Sequence, residues 1–270
     1  ALLSITDVVK GANTLLSGTG WGDLEYYARD DAKKKGVYNI AVIDHWTAYK
    51  ERFVRNNIKI LPDVIIVSDK FARNQADKIF PDVQILELDN SYLHYESRLI
   101  SSYRVKAINR PPKRILALME PCRNDHFNGN LLEFASLEYL FDNLNRITDS
   151  KEVEICLRPH PSEKRDKYDS FLRKNIKISN NLSLGEDLAW ADLVVGMQSY
   201  AMAIAVHACI PTISIFPPGS YKCILPYSEI KHLSDLWEYY MRDELRVVGE
   251  LLTLSNFLEN DINDSYILGG

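Results

Sequence analysis

Short unbroken apolar runs alternate along most of this chain with longer stretches whose apolar residues recur at helical spacing. Ile40-Ala41-Val42-Ile43, Val64-Ile65-Ile66-Val67, Ile115-Leu116-Ala117-Leu118 and Leu193-Val194-Val195 are four such runs. Runs of this length bounded by turn residues read as strands buried on both faces, and strands separated by helices imply parallel sheets covered on both sides. The first half predicts strands at 13–17, 39–44, 64–68 and 83–88, with helices at 23–35, ended by Gly36, and at 69–79. Residues 5–10 resemble the end of a helix whose preceding strand is absent, so the chain is either a fragment or a reduced form of its fold. Arg110-Pro111-Pro112-Lys113 breaks the pattern and reads as a linker. Beyond it the alternation restarts. Strands are expected at 114–119, 153–157, 176–179, 193–196 and 212–216, and helices at 130–144, 163–174, 185–191 and 200–209. The stretch 234–258 is helical in pattern. The expectation is an α/β protein of two Rossmann-like lobes with parallel sheets and an interlobe cleft: an N-terminal acceptor lobe at 1–109, a C-terminal nucleotide-donor lobe at 113–233 and a helical tail at 234–270.

Composition narrows the partners. A length of 270 residues, 46% hydrophobic and 26% charged, suffices for a full core, and a net charge of −5 spread along the chain argues against a nucleic-acid surface. Cys122, Cys156, Cys209 and Cys223 show neither CxxC nor metal-ligand spacing, so they read as thiols of a reducing compartment, with no metal site. No signal peptide or long apolar span is visible, which places the chain in the cytosol or at the inner face of a membrane, peripheral to membrane assembly machinery.

Four clusters fall at strand carboxyl ends, where open α/β sheets bind ligands. Arg158-Pro159-His160-Pro161 closes an apolar strand and precedes the expected helix at 163. An Arg and a His there suit an anionic ligand, since a helix start leaves backbone N–H groups unpaired and the two prolines stiffen the turn. Gly18-Thr19-Gly20-Trp21-Gly22-Asp23-Leu24-Glu25 joins a strand to a helix. Its glycines permit close backbone approach to a ligand, and the carboxylates Asp23 and Glu25 favour sugar hydroxyls over phosphate. It is neither a dinucleotide fingerprint nor a P-loop. Asp44-His45-Trp46-Thr47-Ala48-Tyr49 offers an acid–base pair, or an acceptor site built on His45, Trp46 and Tyr49; equally, these aromatics pack. Gln198 and Ser199 stand where a strand meets a helix, with Ser199 either a plain N-cap or a contact to a phosphate or ribose oxygen.

The segment Leu157-Arg158-Pro159-His160-Pro161, together with Asp192-Leu-Val-Val-Gly-Met-Gln-Ser199 and Ile210-Pro211-Thr212, resembles the GT-B glycosyltransferases over about two thirds of the chain. The His-Pro pair looks most like that of bacterial sialyl- and 3-deoxy-manno-octulosonate transferases, which use CMP-activated sugars, and is similar to that of teichoic-acid glycerophosphate polymerases. The resemblance implies a metal-independent transferase without a cofactor, moving a sugar from a nucleotide-activated donor (CMP-sugar favoured) to a saccharide acceptor in surface polysaccharide synthesis. It places the donor phosphate at His160, with Arg158 and Pro161, and a further donor contact at Ser199. The carboxylate base is expected from Glu25, Asp23 or Asp44. The chain departs from many GT-B donor lobes in carrying Ile204 and Cys209 at the Glu and Gly positions of their Glu-Ala-x-x-x-Gly-x-Pro helix. Two other functions stay open: a degenerate, non-catalytic binding domain, and an enzyme like the two-lobed UDP-N-acetylglucosamine 2-epimerases.

Overall fold

A computed structural model describes residues 9–104, 112–123 and 125–236. It divides into two compact units, one ending at Ser91 and the other starting at Tyr92. The C-terminal stretch expected to be helical lies, from residue 237 on, outside the described residues. So do residues 1–8 and the first two residues of the expected linker, Arg110 and Pro111.

The first unit is built on four parallel strands, β1 (Thr14–Ser17), β2 (Tyr38–Ile43), β3 (Val64–Val67) and β4 (Gln84–Glu87), ordered β1-β2-β3-β4. Pairing runs Ile40 to Val64 and Ile43 to Val67 across the central pair. Helices α1 (Asp23–Lys34) and α2 (Lys70–Ile79) follow β1 and β3. The Asp69 side chain caps α2 by accepting from the Ala72 N–H at 2.7 Å, as an Asp at that position should.

Helix α3 (Ser91–Tyr103) opens the second unit. The sequence pattern did not announce it, although its buried Leu93, Ser97 and Ile100 do fall at helical spacing. The guanidinium of Arg104 fastens its end to the second unit by donating to the carbonyls of Cys209 and Ala191. Six parallel strands form the second sheet: β5 (Arg114–Leu118), β6 (Glu154–Arg158), β7 (Ile176–Ile178), β8 (Leu193–Gly196), β9 (Thr212–Ser214) and β10 (Lys231–His232). Their order, β7-β6-β5-β8-β9-β10, is the doubly wound order of a dinucleotide-binding sheet. Helices α4 (Leu132–Asp142), α5 (Leu184–Trp190) and α6 (Tyr200–His207) connect them. The core centres on Ile115, Ala117, Ile155, Leu157, Leu193, Val195 and Ile213, all fully buried, as continuous apolar strands require.

One expected helix is absent. Residues 163–174 hold only a 3-10 segment, Arg165–Phe171. This stretch offers Tyr168, Phe171 and Leu172 as its apolar anchors, about one turn of a helix face, and that is too little to hold a longer helix down. No α-helix N-terminus therefore follows His160, and the expectation of an anion site built on such a terminus is corrected.

Candidate functional site

In the second sheet the chain winds outward from β5 to β7 and then returns to the other side of β5 at β8. The strand order thus reverses between β5 and β8, and the carboxyl edge at that reversal is where such sheets bind ligands. Two strand spacings, roughly 10 Å, separate β6 from β8 across β5. Three strand ends meet along this edge, and each brings a polar group.

From β5 comes Glu120, which the sequence reading passed over. The Gln198 N–H donates to its Oε1 at 2.8 Å. Burial pushes the Glu120 carboxyl up to about 7, while the backbone amides of Gln198, Ser199 and Met197 pull the other way. Glu120 therefore sits where its charge is held by the amides at the start of α6 and opposed by its surroundings. No motif marks it; the signal available was a carboxylate placed directly after an apolar strand, between Met119 and Pro121.

From β8 come Gln198 and Ser199. Ser199 is the N-cap of α6, its hydroxyl accepting from the Ala201 N–H at 3.2 Å. Gly196 keeps this corner tight, since a Cβ there would lie 2.9 Å from Met202 Sδ and 3.2 Å from the Leu118 carbonyl oxygen. The helix ends in a Schellman motif: the Cys209 N–H donates to Val206 and the Ile210 N–H to Ala205. Cys209, at the position where many GT-B chains have Gly, is itself left-handed at φ 56.

From β6 comes the His160 loop. The ring is exposed, yet its orientation is fixed. The Ser162 N–H donates to Nδ1 at 3.2 Å, and Ser162 Oγ lies 2.8 Å from the same nitrogen. With Nδ1 accepting, these bonds assign the neutral ring's proton to Nε2. The turn is closed from both sides, because the His160 N–H donates to Glu163 Oε2 and the Glu163 N–H donates to the His160 carbonyl. Pro161 is exposed. Arg158 is committed elsewhere: its NH1 group pairs with Asp187, a carboxylate 1% exposed that also accepts from Ser179 and Asn181. Arg158 thus anchors the adjoining loop instead of offering a free cation, and Asp187 is a buried hub.

In the first unit the glycine loop is filled from within. A Cβ on Gly18 or Gly20 would lie 3.0 Å from a Glu25 carboxylate oxygen, so the space beside these glycines is taken by Glu25 and not by the ligand expected there. Three arginines hold the loop's carbonyls: Arg29 donates to Gly18, Arg52 to Thr19, and Arg55 to Gly20, Trp21 and Gly22. Asp23 is exposed and paired with Arg55 at 3.3 Å. Asp44 is exposed, 3.7 Å from Arg52. Beside it, burial first and then the Arg52 charge push the His45 imidazole down to about 4, against the pull of Asp44, so His45 is neutral at physiological pH. Trp46 and Tyr49 do not line a surface. They are 1% and 2% exposed, with Trp46 Nε1 donating to Asp69 and the Tyr49 hydroxyl to the Ala72 carbonyl. Their packing onto α2 leaves neither ring a face for an acceptor.

Among the described residues no helix is long and apolar enough to cross a membrane. No family model and no curated protein matches the chain. Solved structures do. A structure described as a UDP-N-acetylglucosamine 2-epimerase from Listeria monocytogenes aligns at a TM-score of 0.51 and 15% identity, over 78% of this chain and 59% of that one. The UDP-N-acetylglucosamine 2-epimerase of Methanocaldococcus jannaschii aligns at 0.53 and 13%, over 91% and 72%. Os79 from O. sativa, solved with UDP, aligns at 0.49 and 11%, over 92% and 76%. This chain thus spans about three fifths of the length of the Listeria protein. At these identities the likeness is one of fold, and the fold is α/β with two Rossmann-like, GT-B-like units.

Proposed function

We propose that the second unit binds the phosphate of a nucleotide-activated sugar along its carboxyl edge, and that the protein is a glycosyltransferase acting on a saccharide acceptor. One observation carries this reading. His160 presents a fixed, outward Nε2–H at the same sheet edge, and beside the same strand-order reversal, as the amides of Gln198 and Ser199. In transfer, the bond from the anomeric carbon to the phosphate oxygen breaks as the bond to the acceptor oxygen forms. His160 Nε2–H would donate to the departing phosphate, holding the charge that develops there. Glu120, able to protonate near neutrality, would yield its place on the α6 amides to a phosphate oxygen, or donate to it. The acceptor's proton needs a carboxylate. Of the three carboxylates the sequence offers for that role, Asp44 is exposed at the end of β2 beside Arg52, Asp23 is exposed and paired with Arg55, and Glu25 is packed under two glycines. The donor class favoured by the His-Pro resemblance is a CMP-sugar, and the setting is surface polysaccharide assembly.

A second reading is favoured by the two solved structures with the higher TM-scores, both described as UDP-N-acetylglucosamine 2-epimerases. On that reading the same phosphate contacts hold a nucleotide sugar whose C2 configuration is inverted. NMR of the protein with UDP-N-acetylglucosamine and with a CMP-sugar separates the two. Transfer releases free nucleotide in step with an added saccharide acceptor, whereas epimerisation interconverts the sugar with no acceptor present. Either activity should fall at least about a hundredfold in His160→Ala. An activity untouched by that substitution rules out the assigned site.

A further inference from the structure

The turn that carries His160 is short and exposed, and one of the bonds closing it is long: the His160 N–H donates to Glu163 Oε2 at 3.3 Å. A carboxylate on the surface would trade such a bond for water, since exposed contacts of this kind contribute little. Glu163 is not placed to do so. Its carboxylate is only 4% exposed, and both oxygens are engaged. Oε1 accepts from the Lys167 ammonium, and Oε2 accepts a second bond from the Tyr168 hydroxyl at 3.0 Å. Tyr168 is itself fully buried.

Lys167 stands in the 3-10 segment Arg165–Phe171, which takes the place of the expected helix. Its ammonium also donates to Glu133, a fully buried carboxylate in the first turn of α4. It rests 5.6 Å from the centre of the Phe134 ring and 5.5 Å from that of Tyr168, both within cation–π range. The Cys122 thiol hydrogen-bonds to Glu133 and is pushed above its ordinary range, by burial first, so it remains a neutral donor. Two buried carboxylates therefore share one cation, and each would carry an uncompensated charge without it. The contacts run from Glu133, on the helix after β5, through Lys167 to Glu163 and the His160 backbone, beyond the end of β6. Ser162, inside the turn so tied, gives its N–H to His160 Nδ1.

We infer that Lys167 is a positioning residue for His160: held between Glu133 and Glu163, its ammonium locks the turn 160–163 and thereby keeps Ser162 on Nδ1 and the proton on the outward Nε2. The functional consequence rests on the phosphate role proposed above for His160, but the lock itself is readable with no nucleotide present. Lys167 acts through the ring and not on the ligand, so its effect on binding should vanish when the ring is absent.

Proton–nitrogen correlation NMR of the His160 ring in the nucleotide-free protein tests the lock at about pH 8, where imidazole is neutral. The signal is assigned by its loss in His160→Ala. The wild-type chain should show a single tautomer with the proton on Nε2, and Lys167→Met should populate both tautomers by freeing Ser162 from Nδ1. Removing one partner of a buried ion pair can unfold a chain. Tyr168→Phe, which takes away only the hydroxyl on Glu163 Oε2, therefore repeats the reading in a variant that keeps the buried ring and the ion pairs. Calorimetric titration with CMP, CDP, UDP and GDP completes a double-mutant cycle. Lys167→Met should weaken whichever nucleotide binds by at least about fivefold when His160 is present and by less than about twofold in His160→Ala. A wild-type tautomer unchanged in both Lys167→Met and Tyr168→Phe, or equal weakening with and without His160, overturns the inference. Binding of none of the four nucleotides removes the phosphate reading instead, and the tautomer still decides the lock.

Discussion

Glu120 gives the most quantitative expectation. Its carboxyl is pushed from the ordinary 4.5 to about 7 by burial, so the charged form is disfavoured in the folded state relative to the unfolded one. For an acid whose folded value is raised, the full stability is present below the unfolded value and is lost as pH climbs through the folded one. The loss should therefore run from about pH 4.5 to about pH 7 and then level off. At about 1.4 kcal/mol per pH decade the gap corresponds to about 3 kcal/mol, which partial exposure trims to about 2–3 kcal/mol. Glu120→Gln keeps an oxygen to accept from the Gln198 N–H but cannot ionise. Urea unfolding of the two proteins across this range isolates the group, because other titrations cancel in the difference. They should agree within about 0.5 kcal/mol at pH 4, and the variant should be the more stable by about 2–3 kcal/mol at pH 8. A difference between the two proteins that is the same at both pH values would refute the argument.

Other consequences follow from single contacts. Asp187→Ala strips the buried partner from Arg158, Ser179 and Asn181 and should cost about 3–5 kcal/mol in urea unfolding. Cys209→Gly removes the penalty of a side chain at φ 56 and should raise stability by about 0.5–1 kcal/mol, read as a higher melting temperature. Gly196→Ala places a methyl group 3.2 Å from the Leu118 carbonyl oxygen and should cost about 1–3 kcal/mol, measured the same way.

The alternation of strands and helices was legible because parallel strands covered on both faces must be continuously apolar, as Ile115 to Leu118 and Leu193 to Val195 are. Helix α3 was not, because Ser, Tyr and His fill most of its turns and only Leu93 and Ile100 mark its apolar buried face. The opposite error at 163–174 has the same root. Charged residues that tolerate a helix do not make one without a core to bury against. Local geometry was legible where it is tied to a chain feature, as with the turn that His160 occupies between two prolines or Ser199 at an N-cap. It was not where the deciding fact is a tertiary partner. Nothing in the order of residues says that Arg158 turns to Asp187, that Trp46 reaches Asp69, or that Glu25 fills the space left by Gly18 and Gly20. Glu120 is the plainest case, since its meaning comes from strand β8 lying beside β5.

The central claim is that this edge of the second unit holds a nucleotide's phosphate through His160. Isothermal titration of CMP, CDP, UDP and GDP into the wild-type chain and His160→Ala tests it directly. At least one nucleotide should bind, and the substitution should weaken it at least about tenfold. The urea midpoint should move by less than about 0.5 kcal/mol equivalent, because the ring is exposed. Binding of equal strength in both proteins, or no binding by any of the four, would contradict the account.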